Sequence, residues 1–167
     1  MSLTMQAASI DVLVHALDAL SAILNKAAAQ AEAKKIDPAV FIQARLAPDM
    51  YPLARQVQIA SDTAKGCGAR LAGVDVPSYP DTETTFPELQ GRIAKTREFL
   101  RGIDPQRLSG SDARPVTLKL GGQPQTFSGR DYLLRFALPN FFFHVTTAYA
   151  ILRHNGVELG KMDYLAL

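Results

Sequence analysis

At 167 residues with a net charge of +2, the chain is one domain's worth of sequence, residues 1–167, long enough to bury about 70% of its unfolded surface. Its 47% hydrophobic and 20% charged residues are ordinary for a globular protein, and no Lys/Arg block exceeds Lys34-Lys35, so a nucleic-acid partner is not expected. The single cysteine, Cys67, excludes an internal disulfide and a cysteine metal cage and suits a reducing, cytoplasmic setting.

No secretory signal is expected, because Met1 to Gln6 carries no basic residue ahead of an apolar run and Asp11 soon interrupts. The first helix reads from Thr4 to Ala31. Ile10, Leu13, Leu17, Leu20, Leu24, Ala27 and Ala31 recur at alternating three and four residues, the seam of a bundle helix, and His15 lies off it. Asp37-Pro38 caps and opens a short helix through Ala44. Asp49 is placed to cap a second long helix with Pro52 in its first turn. Its seam is Leu53, Val57, Ala60, Ala64, Cys67 and Leu71, and Ala60, Ala64 and Gly68 would let a neighbouring helix come close.

Residues 73–84 are rich in Pro, Asp, Ser and Thr, a loop long enough to permit a crossover between helices that are not neighbours. Thr85-Phe-Pro-Glu88 is a capping box, and the third long helix follows with Phe86, Leu89, Ile93, Phe99, Leu100 and Ile103 inward. Val116, Leu118 and Leu120 then alternate with polar residues before Gly121-Gly122, which predicts a small β-hairpin. Ser128-Gly-Arg-Asp131 opens the last helix, Pro139 kinks it, Gly156 ends it, and a short tail runs through Tyr164. The span Tyr132 to Leu152 is the membrane candidate, but Arg135, Pro139, Asn140 and His144 interrupt it, so a buried core helix is expected and no membrane.

This order of elements resembles the DinB-like superfamily, which includes thiol-dependent transferases and isomerases and many proteins classed as metalloenzymes. The wording Leu138-Pro-Asn-Phe-Phe-Phe-His144, with Thr147-Ala-Tyr-Ala-Ile-Leu-Arg153, is similar to a domain-of-unknown-function branch of it. So are Ala47-Pro-Asp-Met-Tyr-Pro-Leu53, Gln56-Val-Gln58 and Gly160-Lys-Met-Asp-Tyr164. The resemblance implies a four-helix bundle and a metal site of three histidines, one on the second helix and two on the fourth at i, i+4. His144 fits one place, but Ala148 stands four residues on and Gln56 occupies the second-helix place. His154, ten residues beyond His144, faces about 80° away. No metal and no cofactor are therefore expected.

Asn140, His144 and Thr147 share one face of the last helix, with Gln56 opposite as the fourth member of a candidate pocket. The bland reading is a hydrogen-bonded polar network that fixes helix register. The functional one is a repurposed pocket in which His144 handles a proton or binds a small polar ligand. Asp62 reads as solvated or paired with Lys65, Cys67 as an inert buried thiol, and Phe141 to Phe143 as core.

The expectation is thus an all-α four-helix bundle of DinB-like connectivity, with a short extra helix and a β-hairpin before the last helix. Its leading function is small-molecule binding or regulation at a degenerate metal site. A metal-dependent transferase or isomerase using His144 is the competing class, and a structural dimer module the third. Val12, Val14 and Ala16 on the first helix, and Tyr132, Leu133, Phe136, Phe142 and Tyr149 on the last, lie off the seams. They predict a homodimer burying roughly 1,200–2,000 Å².

Overall fold

The computed structural model describes residues 3–167 and is mostly helical, with one small antiparallel sheet. The N-terminal helix is broken in two. Thr4 caps α1 (Met5–Ala8), and Ser9, with φ −121° and ψ −77°, interrupts the spiral before α2 (Ile10–Ala33). The Ser9 hydroxyl donates to the Met5 carbonyl at 2.6 Å, the local bond by which serine competes with helix continuation. Every residue of the predicted α2 seam is buried. Among the described residues, the apolar segment long enough by length and composition to cross a membrane is Met5–Ala33, not Tyr132–Leu152, and half of its most apolar window is buried inside the protein.

Asp37 caps α3 (Pro38–Ile42), its carboxylate accepting from Ala39 N at 2.9 Å. The next helix departs from expectation. Pro52, extended at ψ 167°, is itself the N-cap of α4 (Leu53–Ala72), and Asp49 lies outside. Leu53 N donates instead to the Ala44 carbonyl at 2.9 Å, which ties the connection down. The α4 seam is fully buried from Leu53 to Leu71. Gly68 serves the predicted close approach: a Cβ there would sit 2.6 Å from Leu100 Cδ2 and 2.8 Å from Ile103 Cδ1.

The capping box forms as read, Thr85 Oγ1 accepting from Glu88 N and Glu88 accepting from Thr85 N, and opens α5 (Phe86–Arg101). Phe99 is only half-buried; the other predicted inward residues are buried. A 3₁₀ turn (Pro105–Leu108) leads to β1 (Pro115–Leu120) and β2 (Gln123–Ser128), joined by Gly121 and Gly122 at positive φ. Ser128 caps α6 (Gly129–Tyr132), a π-helical turn spans Leu133–Ala137, and α7 (Leu138–His154) follows. The tail forms another helix, α8 (Lys161–Leu165), packed on α2 through Lys26–Asp163 and His15–Leu165 O.

Contacts along the long helices give their directions. Gln56, Thr63 and Arg70 of α4 meet His144, Asn140 and Tyr132, so α4 and α7 are antiparallel. Ser21 and Asp18 of α2 meet Gln90 and Arg97 of α5, again antiparallel. Asp62 meets Arg92 whereas Gly68 lies against Leu100, so α4 and α5 run parallel as direct neighbours. The 73–85 connection therefore joins adjacent helices, not distant ones; its length is needed to carry the chain back along α4.

Gly68→Val is expected to destabilise by about 1–3 kcal/mol through overpacking against Leu100 and Ile103. Gly91→Ala on α5, with open space around it, should stabilise by about 0.5–1 kcal/mol. Urea unfolding of both variants checks the pair; equal effects would remove the close-approach role of Gly68.

Candidate functional site

The antiparallel α4–α7 seam brings two of the four predicted residues into direct contact. Gln56 Oε1 lies 2.7 Å from His144 Nδ1, and both side chains are buried, His144 at 8% exposure. Gln56 Nε2 donates to the Tyr51 carbonyl at 3.0 Å. That bond orients the amide, since only its nitrogen can donate to a carbonyl. The oxygen then faces the ring, so His144 Nδ1 must carry the proton and donate.

The tautomer follows. With Nδ1–H committed, Nε2 keeps its lone pair, and among the described residues the one hydrogen bond of the ring is that at Nδ1. Burial pushes the His144 pKa below its ordinary 6.5, and the positive charge of Arg55 pushes it the same way. His144 is a neutral acceptor at pH 7. The Phe143 ring meets the imidazole edge-to-face, centroids 5.1 Å apart.

Asn140 and Thr147 do not join this pair. Asn140 Nδ2 donates to Thr63 Oγ1 at 2.9 Å, one turn further along the seam, and Asn140 is half-buried. The Thr147 hydroxyl donates to the Phe143 carbonyl at 2.7 Å, the usual i−4 bond of a helical threonine. One face of α7 thus holds separate polar contacts, not a single four-residue cluster. Tyr51, Arg55 and Thr63 are participants that sequence reasoning missed; a backbone carbonyl leaves no residue-type signal, and Arg55 differs in no visible way from other surface arginines.

Of the three phenylalanines, Phe141 is buried and Phe142 half-buried, but Phe143 is 56% exposed. The fan of three consecutive helical residues places one outward. Phe143 and Thr147 border a shallow depression of about 540 Å³ with Leu46, Met50 and Ala150. Cys67 is inert: burial raises its thiol pKa to about 12, against a smaller lowering by Arg70. Asp62 does pair with Lys65, at 2.6 Å, and additionally with Arg92 at 2.8 Å.

The donor set does not fit the histidine trio that the resemblance implies. His144 Nδ1 is spent on Gln56, and Ala148 offers a buried methyl group where a second imidazole would stand. His154 is exposed, and His15 is bonded to the Leu165 carbonyl. Among the described residues, no three His, Cys, Asp or Glu side chains gather as a metal-holding group.

The chain matches the family described as Domain of unknown function (DUF1993) over residues 5–165. It belongs to that family. A crystal structure of a DinB family member protein from Shewanella denitrificans is 43% identical, with a TM-score of 0.87 over 95% of this chain and 89% of that one. The DUF1993 chain therefore lies within a DinB-like fold family, as the Pro-Asn-Phe-Phe-Phe-His wording implied. No curated protein matched it.

Because the folded state holds His144 below the 6.5 of an unfolded histidine, the unfolded chain binds more protons in that window. Stability is expected to fall as pH drops below about 6.5. This part of the loss should be absent in His144→Gln; an identical pH dependence in the variant would place the imidazole in water. At pH 7, His144→Ala should cost about 1–3 kcal/mol by orphaning Gln56, and His15→Ala less than about 0.5 kcal/mol.

Proposed function

We propose that this DUF1993 chain is a single-domain, DinB-like four-helix bundle that binds a small molecule at His144 without a catalytic metal, in the cytoplasm. The helices of the bundle are α2, α4, α5 and α7, and the directions of their contacts support an up-down-down-up run with a crossover between the second and third. The observation that carries the site is the oriented pair Gln56–His144. A glutamine pinned on a backbone carbonyl holds the imidazole as a fixed acceptor, and Phe143, packed edge-to-face on that imidazole, lines an apolar depression.

That arrangement suits a ligand with one hydrogen-bond donor and an apolar body, the donor reaching Nε2 and the body lying along Phe143, Leu46 and Met50. Phenol is a suitable probe. A saturable shift of the His144 Nε2 resonance, lost in Phe143→Ser, is expected; no shift at millimolar phenol would overturn the reading. Zinc titration separates the competing enzyme class. Well under one equivalent should bind, whereas one tight equivalent lost on His144→Ala would favour a metal-dependent transferase or isomerase.

The same reading includes a homodimer. Support comes from Leu134, in the turn just ahead of the fourth helix, which leaves apolar surface open at 55% exposure. Tyr132, Leu133 and Ala16, by contrast, are inside the protomer. Light scattering coupled to size exclusion should give twice the 18.1 kDa chain mass; a steady monomer mass across micromolar concentrations would remove the dimer.

A further inference from the structure

The crossover along α4 is attached by charge. Arg92 of α5, its side chain 1% exposed, donates to the Pro80 carbonyl at 2.9 Å and to both Glu83 oxygens at 3.0 and 3.1 Å. It also pairs with Asp62 of α4 at 2.8 Å and Asp81 at 3.0 Å. Gln58 donates to Glu83 at 3.0 Å. The Tyr79 ring lies against Lys65 and Lys95, whose Nζ atoms are 4.5 and 4.2 Å from its centroid. Val74 touches the core at one end and Phe86 at the other, but between them no residue belongs to the buried apolar set.

One of these contacts reaches the His144 site. Arg55 pairs with Asp81, and its guanidinium lies 5.9 Å over the Tyr51 ring. The Tyr51 carbonyl in turn holds Gln56, which holds His144. We propose that residues 73–85 form a charge-clasped strap that opens independently of the helices and, through Asp81 and Arg55, regulates the protonation of His144. This rests on reading His144 as the site. With the strap closed, Asp81 compensates Arg55. Open, the strap leaves an uncompensated cation that disfavours the imidazolium. Among the described residues, the groups in contact with the imidazole carry no competing charge: Phe143 beside it on α7 and Gln56 from α4. Of the charged residues on the preceding connection, Arg45 is turned onto the Pro48 carbonyl and Asp49 is exposed.

Two ligand-free measurements test this on the whole chain. Relaxation dispersion of the backbone amides should show an open state at residues 74–84 that α4 and α5 do not share, and Asp81→Asn should raise its population by about tenfold in the strap alone. NMR titration at low ionic strength should move the His144 midpoint down by a few tenths of a pH unit in Asp81→Asn and up in Arg55→Gln. The double variant should match Arg55→Gln. A strap with no open state of its own, or an Asp81→Asn shift that persists without Arg55, would overturn the proposal. Asp81 is exposed, so its variant should fold, and circular dichroism checks that. Neither readout involves phenol or metal, so a failed ligand titration and a failed coupling are distinct results.

Discussion

Helix α4 has almost no free side. Fourteen of its 20 residues are buried, because α7 covers one flank, α5 another, and the crossover much of the remaining surface. A helix enclosed in this way cannot leave its polar side chains to water, so each must find a partner on whichever neighbour it faces. Gln56 is satisfied by His144 and a backbone carbonyl, Ser61 by Thr96 of α5, and Gln58 by Glu83 of the crossover. These bonds point in different directions around one axis. A rotation or slide of α4 would break several at once, which is how a helix lined by small alanines and glycines keeps one register.

The parallel course of α4 and α5 sets the second requirement. Parallel neighbours cannot be joined by a tight turn, so the chain must travel back along the outside of the pair. Polar and proline-rich, that segment has little apolar surface to bury. Arg92 provides the alternative: a buried guanidinium needs anions at its donors, and Asp62, Asp81 and Glu83 meet its two terminal nitrogens from two segments, leaving Nε without a partner. The interaction is asymmetric. Removing a carboxylate leaves a buried cation under-compensated, whereas water can hydrate that cation once the segment lifts.

Much of this was legible in the sequence because it is local or periodic. The seams of α2 and α4, the Thr85–Glu88 box and the Gly121-Gly122 turn depend on residues within a few positions of one another. The pairing of Gln56 with His144 was also readable, since both places followed from the resemblance. What was not legible depends on direction and on backbone groups. Nothing in residues 73–84 says whether the helices they join are parallel or antiparallel, so the burial of Arg92 could not be foreseen. Pro52 looked like a first-turn proline, yet its extended ψ made it the cap instead, a choice decided by the bond from Leu53 to the distant Ala44 carbonyl. Asn140 and Thr147 were grouped with His144 by spacing alone, although each had a nearer partner.

The π-helical turn ahead of Pro139 shows how a local irregularity determines the site. Pro139 cannot donate to the carbonyl four residues back, and its ring crowds that carbonyl. The chain accommodates it by widening the preceding turn, Leu133–Ala137, into a π-helical one. A π turn holds one residue more than an α turn, so everything after it is rotated by about 100° relative to a regular helix. Before the turn, Tyr132 faces Arg70 of α4; after it, Asn140 and His144 face Thr63 and Gln56 of the same helix. A regular spiral through Pro139 would turn His144 away from Gln56 while leaving Tyr132 in place. The extra residue is thus what lets one face of α4 be read by both halves of the α6–α7 segment, and it sets the imidazole against its glutamine.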